Sequence, residues 1–358
     1  MHRSSALGLP WCFVFVAGVT VGSVWPLLVS TPVFAAGVDT GVDAAAPAAI
    51  PEGTVFHATD SLAEALQDAR DDAQACLQGL CWKPTGFDVR IEAPWKHGDR
   101  CVTFPSPRPV GHAGNDSVSM EWYIARDAAG QPCQAPACVV VHESGRGMDV
   151  GRLIARGLNA HGLHTFLIHL PWYGKRRPEE GKPTTAMVLP ALSQGIADVR
   201  RAHDAVAAIP CVDREKIAVQ GTSLGGFVTT TASGLDQCFD STFILLAGGD
   251  LAGIIEHGAK DASKFREELR QAGMNDEQIA AALYSVEPLR VAHRLNPNRT
   301  WLYSGTFDEV VPPKHCDQLA EAAGLADDHH LKLHANHYSG IIYLPVVLAQ
   351  IHAHITTE

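Results

Sequence analysis

Residues 216–225 read KIAVQGTSLG, an apolar run that ends in the pattern Gly-x-Ser-x-Gly, and small or apolar residues continue to about residue 235. The stretch predicts a strand, a sharp turn and a helix, with Ser223 at the apex of the turn. Glycine at positions 221 and 225 would let the strand and helix backbones pass closely where a side chain would clash. A serine exposed in this way can act as a nucleophile if a base and oxyanion donors lie beside it.

The orienting acid of such a site is predicted in residues 300–313, which read TWLYSGTFDEVVPP. The first half predicts a strand, and Asp308 falls in the loop beyond its carboxyl end. Carboxyl ends of parallel strands meet at one edge of a sheet, so Asp308 is expected near Ser223. Glu309 and Asp250, the latter after the preceding strand, are the alternative acids.

The base is predicted in residues 331–340, which read LKLHANHYSG. The last strand is expected to end near His334, which puts His337 in the loop before the final helix. A histidine there can reach the nucleophile across the sheet edge. The alternative is a metal site built from four histidines, at positions 329, 330, 334 and 337, although no matching carboxylate or histidine spacing completes it elsewhere.

Strands and helices alternate from residue 137 onward, which predicts an α/β fold with a mostly parallel, doubly wound sheet flanked by helices. Three earlier β-like segments, near 86–92, 100–104 and 117–125, would add an antiparallel edge. A helix is predicted over 61–79 with Ser61 as its N-cap. Residues 250–290 are too long for a simple connector and predict a small helical lid insertion, with a peripheral helical pair as the alternative.

The order Ser223, Asp308, His337 matches the chain order of the α/β-hydrolase fold. The chain resembles that superfamily of serine hydrolases, in its dienelactone-hydrolase-like and acetylxylan-esterase-like branch of exported esterases. The resemblance covers about residues 137–355 and rests on the Ser223 turn, the stretch Gly305-x-x-Asp308-x-x-Val311-Pro312, and His337. It implies an ester hydrolase that works through an acyl-enzyme, with neither a metal nor an organic cofactor.

Two backbone N–H groups are expected to form the oxyanion hole. One belongs to Leu224, directly after the nucleophile. The other lies in the loop that follows the first parallel strand, where residues 142–147 read HESGRG. The resemblance implies the Ser144 N–H. Glu143 and Arg146 are expected to place charge near the site, where it would orient this loop or a polar substrate. An ordinary glycine-rich turn is the alternative.

Residues 169–178 read HLPWYGKRRP and follow the second parallel strand. We expect Trp172 and Tyr173 to line the acyl or alcohol pocket, and the adjacent lysine and arginines to meet an anionic substrate. Packing aromatics beside a solvated basic turn are the alternative.

Residues 1–35 predict an export signal, with Arg3, an apolar stretch and small residues before a cleavage site after Ala35. An uncleaved membrane anchor is the alternative. Residues 36–53 predict a flexible linker, and residues 54–358 one hydrolase domain, of which 54–136 carry the first helix and the antiparallel strands. The mature protein is therefore expected in the periplasm or outside the cell, without stable membrane insertion.

The chain has 28 Lys and Arg against 39 Asp and Glu, and its net charge is −11. Without basic runs, this acidity argues against nucleic acid and anionic membrane surfaces as partners. The expected partner is a small-molecule or polymer-borne ester, and the oligomeric state stays open.

Nine cysteines become eight when the signal leaves with Cys12, and an even number in an exported chain suggests disulfides. Two pairs lie close in sequence, Cys76 with Cys81 and Cys133 with Cys138. The predicted fold also allows a Cys211–Cys238 bridge, while Cys101 and Cys316 have no assigned partner.

Two other functions are compatible with this sequence. A serine peptidase of the prolyl-oligopeptidase kind shares the catalytic domain, although residues 54–125 are too short for the usual propeller. A non-catalytic binding protein on a hydrolase scaffold is the other. A fluorophosphonate probe separates the second from an enzyme, because an inert scaffold would not be labelled.

Overall fold

A computed structural model describes residues 50–64, 66–178 and 185–357. The predicted signal peptide and most of the predicted linker lie outside the described residues. The strands in the described part are β1 (Val55–Thr59), β2 (Gly86–Glu92), β3 (Arg100–Pro105), β4 (Ser117–Tyr123), β5 (Ala135–Val141), β6 (His164–Ile168), β7 (Val212–Thr222), β8 (Thr242–Leu245), β9 (Thr300–Gly305) and β10 (His330–Leu333). The helices are α1 (Asp71–Leu80), α2 (Ala113–Asp116), α3 (Asp149–Ala160), α4 (Thr185–Ala207), α5 (Leu224–Asp236), α6 (Leu251–His257), α7 (Asp261–Gln271), α8 (Asp276–Tyr284), α9 (Pro313–Ala323) and α10 (Leu344–Thr356).

All ten strands belong to one sheet, in the order β1-β2-β3-β4-β6-β5-β7-β8-β9-β10. The pairings from β1 to β4, and from β4 to β6, are antiparallel. The remaining pairings, from β6 through β5 to β10, are all parallel. The predicted fold class, a doubly wound sheet with an antiparallel edge, is therefore confirmed.

Alternating residues of the central strands β5 and β7 belong to two hydrophobic cores, one on each face of the sheet. Val139 and Val219 pack with side chains of α4 and α5. Cys138 and Val140 point to the other face, where they join the apolar sides of α3 and α10. Side chains two apart on a strand share a face, so one apolar strand serves both helix layers. Residues 339–356 are long and apolar enough to cross a membrane by composition, yet Ile351 and Ile355 of α10 are buried in this second core.

The first helix begins at Asp71, ten residues later than predicted. Ser61 does not cap it, because its N–H and Oγ donate to the carboxylate of Asp204 on α4, at 2.9 and 2.6 Å. The preceding residue, Asp60, pairs with Arg201 of the same helix. These tertiary contacts outweigh the helical spacing of the apolar residues in this stretch.

Three helices, α6 to α8, occupy the insertion that was predicted as a lid. The insertion leaves the carboxyl end of β8, and its turn at residues 259–261 contacts two loops at that edge of the sheet. The Ala259 N–H donates to the Glu309 carbonyl at 2.8 Å, and the Tyr338 hydroxyl lies 3.1 Å from the Asp261 carboxylate. The role of a lid stays a prediction.

All eight cysteines of the described part are free thiols, so the expected Cys211–Cys238 bridge is not formed. The two residues have different surroundings. Cys211 directly precedes β7, and its carbonyl lies 3.1 Å from His164 Nε2. Cys238 follows α5 and lies beside Arg200. Placing both residues at one edge of the sheet is not enough to bring their side chains together.

Candidate active site

The turn between β7 and α5 is as sharp as its sequence predicts. Ser223 has φ 52° and ψ −115°, a conformation that L-residues rarely adopt, and its N–H donates to the Leu245 carbonyl at 2.9 Å. A Cβ atom at Gly221 would lie 2.3 Å from the Gly225 oxygen, and one at Gly225 would lie 2.1 Å from the Val141 oxygen. Both glycines are therefore required sterically, and the serine is left half-buried at the apex.

The structure brings the three predicted catalytic residues into one chain of hydrogen bonds. Ser223 Oγ lies 3.0 Å from His337 Nε2, and His337 Nδ1 lies 2.7 Å from Asp308 Oδ2. Asp308 is 4% exposed, and its other oxygen accepts the Val310 and Val311 N–H groups at 2.8 and 2.9 Å. The loops after β9 and β10 thus present a carboxylate and an imidazole to the serine in the order that acyl transfer needs.

The residues of the alternative acids and of the alternative metal site make other contacts. Glu309 pairs with Lys260 at 3.2 Å, and the Asp250 carboxylate caps α6 through the Gly253 N–H. Two of these four histidines form hydrogen bonds with β9, His329 with the Thr300 carbonyl and His330 with the Ser304 hydroxyl. Within residues 50–64, 66–178 and 185–357, no group of three or more His, Cys, Asp or Glu side chains is arranged to hold a metal ion.

The loop after β5, residues 142–148, faces the Ser223 turn. His142 Nδ1 donates to the Glu143 carbonyl at 2.5 Å, and His142 Nε2 accepts the Leu170 N–H at 3.2 Å. Burial lowers the pKa of His142 to about 3, so this ring is neutral and its proton sits on Nδ1. The peptide bonds are trans, so the Ser144 N–H points away from the Glu143 carbonyl and hence away from His142.

Neither predicted oxyanion donor has a hydrogen-bond partner among the described residues. The Ser144 N–H, like the Leu224 N–H after the nucleophile, takes part in no backbone hydrogen bond of a turn, loop or cap. The close approach of Gly225 to the end of β5 brings the two segments together. An oxyanion hole needs two such free donors, and the role of these two stays a prediction.

Glu143, which the sequence predicts to orient this loop or a polar substrate, caps the helix that follows the loop. Its carboxylate accepts the Val150 and Gly151 N–H groups at 3.2 and 2.9 Å, at the N-terminus of α3. A carboxylate there satisfies free donors and interacts favourably with the helix dipole. Glu143 therefore orients the loop, while a contact with substrate stays a prediction.

The two aromatic residues of the next loop differ in position. The Tyr173 hydroxyl donates to the Ser144 carbonyl at 3.0 Å, and its ring centre lies 4.6 Å from that of His142. Trp172 instead packs edge-on against His112, 5.0 Å between ring centres, with φ 69°. Tyr173 therefore borders the predicted oxyanion loop, and Trp172 lies against the segment that leads into α2.

Two of the three basic residues of this loop, Lys175 and Arg176, are paired with carboxylates of the protein. Arg176 is buried, and its guanidinium donates to Asp198 at 2.7 Å and to the Asn115 carbonyl at 2.8 Å. Lys175 forms an ion pair with Glu92. These two ion pairs hold the loop on the sheet, and its contact with an anionic substrate stays a prediction.

Exposed apolar side chains lie on the two loops that carry the candidate residues Asp308 and His337, a feature that the sequence analysis missed. Gly340 packs on Leu246 just beyond β8, so the 3₁₀ turn at Ser339–Tyr343 lies beside the Ser223 turn. Phe307 (56% exposed) and Tyr338 (50%) are direct neighbours of Asp308 and His337 in sequence, and Ile341 (47%) and Ile342 (76%) lie in the 3₁₀ turn that follows. Their presence could have been noted from the sequence, because Phe307 directly precedes Asp308 and Tyr338 directly follows His337.

Comparison with known proteins gives one family match and several solved structures of similar fold. Residues 193–340 match the prolyl oligopeptidase family. The search of curated protein sequences gives no match. The fold is similar to that of an acetyl xylan esterase from Paenibacillus sp. R4, with 17% identity and a TM-score of 0.56 over 82% of this chain and 97% of that one.

Two further solved structures are similar. Acetyl xylan esterase 1 from Thermoanaerobacterium sp. JW/SL YS485 has 13% identity and a TM-score of 0.54, over 80% of this chain and 93% of that one. A puromycin-hydrolysing peptidase from Mycobacterium tuberculosis has 17% identity and a TM-score of 0.51, over 75% of this chain and 45% of that one. At these identities the likeness concerns the fold. The chain therefore has the α/β-hydrolase fold, and the predicted resemblance to acetylxylan esterases is confirmed at that level.

Proposed function

We propose that this protein is an exported serine hydrolase that cleaves carboxylic esters. The observation that carries the proposal is the continuous hydrogen-bond chain from Ser223 through His337 to Asp308. His337 takes the proton of Ser223 as the hydroxyl attacks the ester carbonyl. It then returns the proton to the departing alcohol, and an acyl-enzyme is left.

The Leu224 and Ser144 N–H groups hold the oxyanion of each tetrahedral intermediate, each worth about 3 kcal/mol in the transition state. Water activated by His337 then hydrolyses the acyl-enzyme, which restores Ser223. Every proton in this cycle passes through His337, which exchanges it with Ser223, the departing alcohol and water, so the residues named here complete the reaction.

A peptidase is the second candidate, because residues 193–340 match the prolyl oligopeptidase family. The architecture favours the ester. The strands β1 to β4, which precede the parallel strands, continue the same sheet and form no separate domain over the site. Ser223 is half-buried, Phe307 directly precedes Asp308, and Ile342 lies in the turn that follows His337. Both apolar side chains are exposed, which suits contact with an apolar acyl or alcohol group.

The test is hydrolysis of p-nitrophenyl esters, from acetate to decanoate, by the mature protein and by Ser223→Ala. Ser285→Ala is the matched control, since that hydroxyl only donates to the Ala282 carbonyl at 2.7 Å. We expect activity and fluorophosphonate labelling to be lost in Ser223→Ala and kept in Ser285→Ala. Cleavage of prolyl anilides without esters would instead support the peptidase, and a folded but unlabelled wild type would refute both enzymes.

A further inference from the structure

A buried ionic cluster lies behind the predicted oxyanion loop, and the proposed reaction does not use it. It consists of Glu121 and Tyr123 on β4, Arg152 on α3 and His169 after β6, and we name it the Glu121 cluster. Arg152 Nε lies 3.1 Å from both carboxylate oxygens of Glu121, and Arg152 Nη2 lies 2.6 Å from Oε1. The Tyr123 hydroxyl donates to the same carboxylate at 2.9 Å, and His169 Nε2 lies 3.2 Å from it.

The protonation states in the Glu121 cluster are set by these contacts. Burial alone would raise the pKa of Glu121, but hydrogen bonds from His169 and Arg152 hold it at about 2. Burial lowers the pKa of His169, and its Nδ1 accepts the Lys175 N–H at 3.2 Å, which leaves the Nε2 proton for Glu121. The cluster therefore holds one carboxylate and one guanidinium that neutralise each other.

A buried ion pair of this kind is weak evidence of a stabilising role, because apolar residues of similar volume often serve a core equally well. Its geometry is more informative. The remaining guanidinium nitrogen, Arg152 Nη1, donates to the carbonyl of Gly147 in the oxyanion loop. The bidentate contact with Glu121 fixes the plane of the guanidinium, so the N–H groups of Nη1 point in fixed directions.

Three side chains donate hydrogen bonds to carbonyl groups of this loop. His142 binds the Glu143 carbonyl, Tyr173 binds the Ser144 carbonyl and Arg152 binds the Gly147 carbonyl. Each of these contacts takes a carbonyl oxygen and none takes the Ser144 N–H. Side chains of the protein thus occupy these three carbonyls, whereas the Ser144 N–H is left for a ligand.

We propose that Arg152 is a positioning residue that, anchored by Glu121, holds Gly147 so that the Ser144 N–H meets the oxyanion. This inference rests on the proposed function. An oxyanion donor contributes only when it is aligned before the reaction, and small displacements remote from the chemistry can reduce the rate severely. The Glu121 cluster acts on the transition state through the loop and touches no substrate atom.

The test compares Arg152→Met with Arg201→Met. Arg201 is a close match, because it is also buried, pairs with one carboxylate, that of Asp60, and donates to one carbonyl, that of Pro105. Both variants remove a buried cation, so both are expected to lower Tm. Only Arg152→Met is expected to lower kcat, by about ten- to a hundredfold, with KM within about twofold of wild type.

Inhibition by phenylboronic acid, which forms a tetrahedral adduct with a serine, adds a readout that a merely structural role would not move. We expect its inhibition constant to rise in Arg152→Met by about the factor that kcat falls, and to stay at the wild-type value in Arg201→Met. Arg152→Lys, which keeps the charge but not the bidentate geometry, should fall between wild type and Arg152→Met.

Equal kcat and boronate inhibition in the Arg152 and Arg201 variants would overturn the inference. If Arg152→Met does not fold, Glu121→Gln decides: it keeps the shape and removes the anchor, and a wild-type kcat would overturn the inference equally. Failure of the proposed function is distinguishable, because the wild type itself would then hydrolyse no ester and Ser223 would take no fluorophosphonate. That result would overturn both proposals.

Discussion

Replacing Asp308 by asparagine is the sharpest test of the proposed triad, because the surrounding backbone dictates how the amide must lie. Asp308 Oδ1 accepts two N–H groups, from Val310 and Val311. If the NH₂ group of the asparagine occupied the position of Oδ1, it would face two N–H donors. The amide oxygen must therefore occupy that position. The NH₂ group then occupies the place of Oδ2, 2.7 Å from His337 Nδ1 in the wild type.

The amide NH₂ can only donate, so His337 Nδ1 must become an acceptor and the ring proton moves to Nε2. Nε2 can then no longer take the proton of Ser223, although the three side chains keep their places. Holding the wrong tautomer in a serine triad lowers kcat by about 10⁴-fold. This corresponds to about 5 kcal/mol in the activation free energy.

The assay is kcat/KM for p-nitrophenyl acetate, with Tm as the check that Asp308→Asn folds. Glu309→Gln is the matched control, since the neighbouring carboxylate is 67% exposed and pairs with Lys260. We expect the control to stay within about twofold of wild type, because exposed ion pairs contribute little. If Asp308→Asn folds and keeps more than a tenth of the wild-type kcat/KM, the tautomer argument is refuted.

Three other perturbations have defined outcomes. Gly225→Ala would place a methyl group 2.1 Å from a backbone oxygen, so we expect a lower Tm and no fluorophosphonate labelling, whereas Gly79→Ala in α1 meets no atom within 4 Å and should raise the unfolding free energy by about 0.5–1 kcal/mol. Wild-type labelling and Tm in Gly225→Ala would contradict the steric reading of the turn. Glu121 has a lowered pKa, of about 2, so its contribution to stability is present above its unfolded value of 4.5 and is lost as pH falls towards 2. The urea midpoints of wild type and Glu121→Gln should therefore converge from pH 6 to pH 3, and a difference independent of pH would oppose this. Replacing the exposed Phe307 and Ile342 by serine should lower the decanoate-to-acetate ratio of kcat/KM by about tenfold, because apolar contact area is lost; an equal fall for both esters would exclude an acyl contact there.

The sequence was most informative where structure depends on neighbours along the chain. The turn at Ser223 follows from a strand, two glycines and the steric limits of the backbone, all within ten residues. The loops that carry Asp308 and His337 could be placed because each directly follows a predicted strand. Parallel strands then put both loops at one edge of the sheet.

Predictions that depended on residues far apart in the sequence were less accurate. The helix predicted over 61–79 is shortened because Ser61 binds Asp204, 143 residues away. A pairing of Cys211 with Cys238 followed from the order of the strands, which does not determine the direction of a side chain. The capping role of Glu143 was equally hidden, because it depends on where α3 begins.

The sequence by itself therefore determined the fold class, the nucleophile turn and the order of the candidate catalytic residues, because these follow from local sterics and hydrophobic periodicity. Only the tertiary structure decided what surrounds them. Arg152 and Glu121 are 31 residues apart, and Tyr173 and Ser144 are 29 apart, yet each pair is joined by hydrogen bonds. Such contacts depend on the distance and direction of side chains after the helices pack on the sheet, and no short stretch of sequence contains that information.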